Sequence, residues 1–289
     1  MDANATGSDY SIYRQLVSQL MSDQEQLPSL PMLTLEIRRA LAMPEVSMAR
    51  LLGLIGKDPA LSALLMKYAS SALLRTRVAP KTLQDVLRVL GLQQVDRVVM
   101  VHSVKSLFTL HSAGHKQLFM AAWQRLTLKG SICAFLARRI GHVPADHAVL
   151  ASLLSEVGAL ALLSAFKSAE LVPTPARYRQ LCQAYGKSLG VILLKKWAVD
   201  EEYVQVARDM GDWTLQRQRQ IELVDLVNLG LYHALKDSDA VGAAELPPLT
   251  GLAAYAKLVA PHDELAADGG LSLVGRHWQE IHALAAALR

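Results

Sequence analysis

The chain has 289 residues, 52% of them hydrophobic and 19% charged, which is enough apolar material to bury a core in one large or two ordinary domains. Its net charge of +4, from 30 Lys+Arg against 26 Asp+Glu, is too small an excess to mark a nucleic-acid binder. The polar start MDANATGSDYSIYRQ does not read as a signal peptide, and no apolar run reaches the roughly 20 residues that span a bilayer, so the expectation is a cytoplasmic protein off the membrane. Cys133 and Cys182 lack a second cysteine at metal or redox spacing and fit two reduced thiols.

Residues 1–9 carry no periodic pattern. Tyr10 to Met21 places Ile12, Leu16, Val17 and Leu20 on one stripe and predicts an amphipathic helix. The prolines of LPSLPML at 27–33 hold the chain extended until Pro31, from which a helix runs to about Met43 and stops before Pro44. Ser47 is the expected N-cap of Met48–Ile55. Asp58-Pro59 opens ALSALLMKYASSALL as cap and first-turn proline, and the basic loop RTRVAPK at 75–81 closes it. Thr82 caps TLQDVLRVLG, Gly91 ends it, and VDRVVMVHSVKSLF forms the next helix. Helices are expected over about 118–140 and 147–166, joined by GHVPAD with Asp146 as cap. PTPARY at 173–178 starts another, and 190–197, 201–210, 221–236, 249–259 and 272–288 follow. No stretch alternates convincingly as a strand and no fixed-period repeat is present, so the class is all-α.

Taken together, LPSLPML, GKDPALSALLMKYASSALL at 56–74 and VLRVLGLQQVDRVVM at 86–100 resemble, in order and spacing, the first half of the HDOD domain. That domain is a bacterial relative of the HD-type metal phosphohydrolases. AAWQRLTLKGSICAFLARR, LASLLSEVGALALL and GVILLKKWAVDEEYVQVAR resemble its HD-like second half. The resemblance implies an HDOD fold in which an N-terminal helical bundle (25–115) packs on a degenerate HD-like bundle (116–212). Residues 1–24 would precede the domain, and extra helices over 213–289 would cap it or offer a docking or dimer surface, with capping the preferred reading.

The resemblance also locates the positions that hold metal in catalytic HD proteins. A first histidine two residues after a tryptophan becomes Arg125 after Trp123, and the His-Asp pair becomes Ser155-Glu156. A third histidine, four residues before the glycine of a G-x6-W stretch, becomes Gly186, and a final pair becomes Asp209-Met210. A catalytic metal must lower the pKa of a bound water, which needs most of those ligands. Here no imidazole remains, and Glu156 and Asp209 alone are oxygen donors of the carboxylate kind. Arg125 is expected to pair with Glu156, Asp209 or both, so that a guanidinium stands where an ion would. No catalytic residue, metal or other cofactor is therefore expected.

Other constellations read as structural. His111 and His115 have i, i+4 spacing, but Ser112, Ala113 and Gly114 between them suggest a loop without further ligands. His142 and His147 flank Pro144 in a turn, and His102 on an apolar helix reads as a hydrogen-bonded boundary histidine. Arg75, Arg77 and Lys81 form a basic cluster that could touch phosphate, with a solvated loop as the preferred account. Nucleosidic or nucleic-acid ligands are thus not the leading expectation.

The function these readings favour is a non-catalytic signal-transduction protein acting through contacts with an unidentified signalling partner. HDOD relatives imply cyclic-nucleotide, stress or motility pathways. Self-association stays open. Two alternatives belong to other classes: a residual metal-dependent phosphohydrolase acting on a nucleotide or cyclic dinucleotide, and a nucleic-acid or messenger-binding module built on the basic loop.

Overall fold

A computed structural model describes residues 31–69, 80–107, 113–166, 172–238 and 243–288, with residues 14, 17 and 18. The rest of the helix expected over 10–21 lies outside the described residues. The described chain is helical, with no strand and one isolated bridge, Leu265 to Leu271. It divides into two compact units, one formed mainly by residues 29–107 and the other by residues 108–285. The second unit takes in most of the C-terminal region.

In the first unit, α1 (Met32–Leu41), α2 (Met48–Ile55), α3 (Pro59–Ala69) and α4 (Leu83–Leu107) follow one another. Their starts are set by local side chains. The Ser47 hydroxyl accepts from the Arg50 N–H (3.3 Å), and Asp58 Oδ1 accepts from the N–H groups of Ala60 and Leu61 (2.9 Å each). Thr82 and Asp85 cap each other's backbone: the Asp85 N–H donates to Thr82 Oγ1 (3.1 Å) and the Thr82 N–H to Asp85 Oδ2 (3.0 Å). Gly91 breaks α4 at φ 73°, ψ 163°, a conformation open to glycine and costly for other residues. Ile37, Leu51, Ile55, Leu65, Val86 and Val99 are fully buried between these helices.

The second unit is built on α5 (Ala113–Ile140), which packs against α6 (Ala145–Leu154) and α11 (Leu223–Ser238). Trp123, Leu126, Ile132 and Phe135 of α5 are buried to within 1% of complete coverage. Next come α7 (Val157–Ala165), α8 (Pro175–Leu181), a π-helical turn at Cys182–Gly186, α9 (Lys187–Lys196) and α10 (Glu201–Asp209). After α11 the chain makes two short 3-10 turns and ends in α12 (Ser272–Arg276) and α13 (Trp278–Leu288).

Five sequence expectations need correction. The helix expected over 147–166 is two helices meeting at Ser155-Glu156, where the Ser155 hydroxyl donates back to the Ser152 carbonyl (2.8 Å) and competes with helical pairing. Pro144, not Asp146, holds the cap position of α6, and Asp146 lies in its first turn. The helix expected over 249–259 is reduced to 3-10 turns at Leu249–Gly251 and Tyr255–Lys257. Leu252 there is extended, and the Ala253 N–H donates to the Trp213 carbonyl (2.8 Å), so a donor a helix would use internally is spent on another segment. The helix expected over 272–288 is interrupted at His277 (φ −113°, ψ 21°). Finally, the stretch Ala145–Leu163, which spans α6 and most of α7, does have the length and composition to cross a membrane; 89% of it is buried inside the fold, so the core accounts for its apolar character.

Candidate functional site

The site forms where α5, the α6–α7 junction and the end of α10 converge. Because α5 is helical, Arg125 and Lys129 lie one turn apart on the same face. The break between α6 and α7 presents Ser155 and Glu156 to that face. Arg125 Nη2 donates to Glu156 Oε2 (2.5 Å) and Lys129 Nζ donates to Glu156 Oε1 (2.5 Å). Lys129 Nζ also reaches Ser155 Oγ (2.9 Å) and Met210 Sδ (3.4 Å). Lys129 is completely buried, and Glu156 is 8% exposed.

Arg125, Ser155, Glu156 and Met210 are therefore brought together, with Gly186 on the wall of the adjoining cavity. Asp209 is not brought in: its carboxylate pairs with Arg217, so of the two partners considered for Arg125 only Glu156 is used. The residue that sequence reasoning missed is Lys129. Its signal was a lone lysine within the apolar run from Leu126 to Leu136, where a cation needs a buried counter-charge.

The electrostatics follow from this geometry. Burial alone would raise the Glu156 pKa, but Arg125 and Lys129 outweigh it and hold the carboxyl at about 2. Glu156 in turn raises Arg125 above its ordinary value. Burial pulls Lys129 below its ordinary value, opposed by Glu156. The contacts of Lys129 are those of an ammonium. The hydrogen of Ser155 Oγ is committed to the Ser152 carbonyl, so the hydroxyl, the carboxylate and the thioether all present acceptors to Nζ.

This donor set does not fit a divalent cation. It combines two side-chain cations, a thioether and a serine hydroxyl with one carboxylate that both cations already hold. Among the described residues, no group of three or more His, Cys, Asp or Glu side chains is placed to bind a metal. His111 lies outside the described residues, whereas His115 is buried on α5. His142 is exposed in the turn before α6, His147 stacks obliquely near Tyr203 (6.2 Å), and His102 Nε2 meets Asp58 Oδ2 at 3.0 Å. Of the basic loop, Arg75 and Arg77 lie outside the described residues, and Lys81 is exposed with its N–H on Asp85 Oδ2 (3.3 Å).

A second buried ionisable group lies on α11. Burial, with Lys236 nearby, lowers His233 from an ordinary value near 6.5 to about 4, and its Nε2 faces the Leu271 N–H (3.5 Å). A histidine whose folded pKa is depressed is charged more readily when unfolded, so it withdraws stability as pH falls from 6.5 to 4. Glu156, also depressed, stabilises fully above 4.5 and loses that contribution as pH falls from 4.5 to 2. Each window should remove up to about 3 kcal/mol. Urea midpoints measured from pH 7 to pH 2.5 should fall through both windows in wild type, and His233→Leu should flatten the upper window alone. An unchanged upper slope in that variant would reject the assignment.

The HDOD domain pattern matches residues 27–211 of the chain. A search of curated proteins returns no match. Among solved structures, a Shewanella amazonensis SB2B protein provisionally assigned as a metal-dependent phosphohydrolase superposes with a TM-score of 0.75. It is 19% identical, over 98% of this chain and 100% of that one. An HDOD domain protein of unknown function from Geobacter sulfurreducens gives 0.60 at 17% identity, over 98% of both chains. A Marinobacter aquaeolei VT8 protein provisionally assigned to signal transduction gives 0.58 at 19% identity, over 98% of this chain and 66% of that one. At such identities these likenesses speak for the fold alone. The match across 27–211 and the all-α fold together make this chain a member of the HDOD domain family.

Proposed function

We propose that this chain is a regulatory module of signal transduction that acts by contact with a separate signalling protein, without turnover at its HD-like site. The observation that carries the reading is the clamp on Glu156. Lys129 fills the space beside Ser155 and Glu156 with its own ammonium, and Arg125 takes the remaining carboxylate oxygen. A site built in this way repels a divalent cation and offers no ligand set to activate water. A regulatory role fits the family and the signal-transduction assignment of the Marinobacter protein. Two cysteines without a disulfide support a cytoplasmic location.

The phosphohydrolase reading makes opposite predictions, and one experiment separates them. Purified chain should contain no stoichiometric Mn, Fe or Zn after incubation with each metal. It should also release no product from a cyclic dinucleotide or a generic phosphodiester. Bound metal accompanied by turnover would overturn the proposal. Affinity capture from the native host would then identify the partner.

A further inference from the structure

Next to the clamped carboxylate lies a cavity of about 520 Å³ within the second unit. Its size falls within the range of small-molecule sites. We propose that it receives a small amphipathic anion, a molecule with a carboxylate or phosphate head and an apolar body, whose head sits against Arg125.

Three observations lead there. The first is charge. Glu156 has one negative charge, and both of its oxygens are taken by cations, one of them an ammonium by its acceptor set. Among the described residues the trio therefore keeps one positive charge without a partner, next to a largely apolar interior where such charge is costly. The second is an orphaned donor. Arg125 Nε is shielded from solvent and has no acceptor among the described residues. Arg125 lines the cavity, so an acceptor placed there would complete it.

The third is the composition of the wall. The cavity is also lined by Arg179 and Lys187, against Glu156 and Glu245 as the acids among its described lining residues. Burial pushes the Cys182 thiol up to about 12 and Tyr178 well above its ordinary value, so neither supplies negative charge near neutral pH. Asp209 is engaged by Arg217. Leu118, Leu231, Leu235, Leu246 and Trp213 form the apolar remainder. A positive floor beside apolar walls suits an anion with a hydrocarbon or aromatic body better than a free inorganic ion.

The proposal does not depend on whether the chain turns anything over. Metal-dependent hydrolysis would refute the regulatory reading and leave this site standing, whereas absence of anion binding would refute the site alone. The test is calorimetric titration of the full chain at low salt with octanoate and with phenyl phosphate as the two head-group arms, and with neutral 1-octanol as control. Saturable one-to-one binding of at least one anion is expected, tenfold or more weaker in Arg125→Gln and absent for the alcohol. The arm that binds tells carboxylate from phosphate. Arg125→Gln leaves Glu156 balanced by Lys129, so it should fold. Should it not, the Arg125 Nε–H resonance of the wild-type chain gives the same answer, since it must shift on titration. No saturable binding of either anion, equal binding by the variant, or an unmoved Nε–H signal would overturn the proposal.

Discussion

Glu156→Gln should be the most damaging polar substitution in the chain, with a loss on the order of 3–5 kcal/mol. The wild-type carboxylate is shared by two cations, one of them completely buried. Glutamine keeps the shape and removes the charge, which leaves Lys129 and Arg125 facing each other without compensation. The opposite substitution, Lys129→Met, removes a cation that is in excess. It leaves a one-to-one pair between Arg125 and Glu156 and places a thioether beside Met210, so it should cost clearly less. Combining Lys129→Met with Glu156→Gln should recover part of the loss from Glu156→Gln alone, a non-additivity of the kind expected for groups in one network. Urea unfolding of the three variants measures the order. If Lys129→Met proves as costly as Glu156→Gln, the charge balance assigned to this trio is wrong.

Gly158→Ala is expected to be comparably severe, on the order of 3 kcal/mol or more, and for a steric reason. A β-carbon at Gly158 would run into the Gly186 carbonyl oxygen and lie 2.5 Å from the Gly190 nitrogen. Both are backbone atoms, which cannot rotate aside as a side chain can, so α7 and α9 would have to separate. Gly53→Ala is the control: its β-carbon would meet nothing within 4 Å inside α2, and the change should be neutral or stabilising by up to about 1 kcal/mol. Thermal unfolding should therefore move in opposite directions for the two alanines. Similar small effects at both positions would mean that α7 and α9 do not approach as closely as described.

Much of the fold was legible because local chemistry decided it. The caps at Ser47, Asp58 and Thr82 and the turn at Gly91 use interactions within four residues, and each lies where the sequence places it. What sequence reasoning could not read was decided over longer distances. The split at Ser155-Glu156 turns Glu156 to Arg125 and Lys129, 31 and 27 residues away in the chain, while Ser155 bonds the carbonyl three residues back. The 249–259 segment has helical periodicity, yet its backbone pairs with Trp213. The same holds for the site. Arg125 and Glu156 stood out as unusual residues in a known frame. Lys129 did not, because a single lysine on a helix is ordinarily solvated and only three-dimensional packing shows which face is covered. Asp209 was placed with the wrong cation because Arg217, eight residues on, falls in a stretch with no regular pattern of its own. Lys257 and Asp225, buried and 2.8 Å apart, were hidden for the same reason, being 32 residues apart in the chain.

The π-helical turn at Cys182–Gly186 sets the angular phase of α9, which continues directly from it. Such a turn accommodates one residue more than an α-helical path between the same ends. Each residue of an α-helix advances the azimuth by about 100°. Excising one residue here, so that α8 ran into α9 without the bulge, would swing Lys187–Lys196 by that angle. Gly190 would then point away from Gly158, and bulkier neighbours would take its place in the crevice. The extra residue thus works as a spacer that dials the glycine face of α9 toward α7, and with it the Gly186 wall of the cavity beside Arg125.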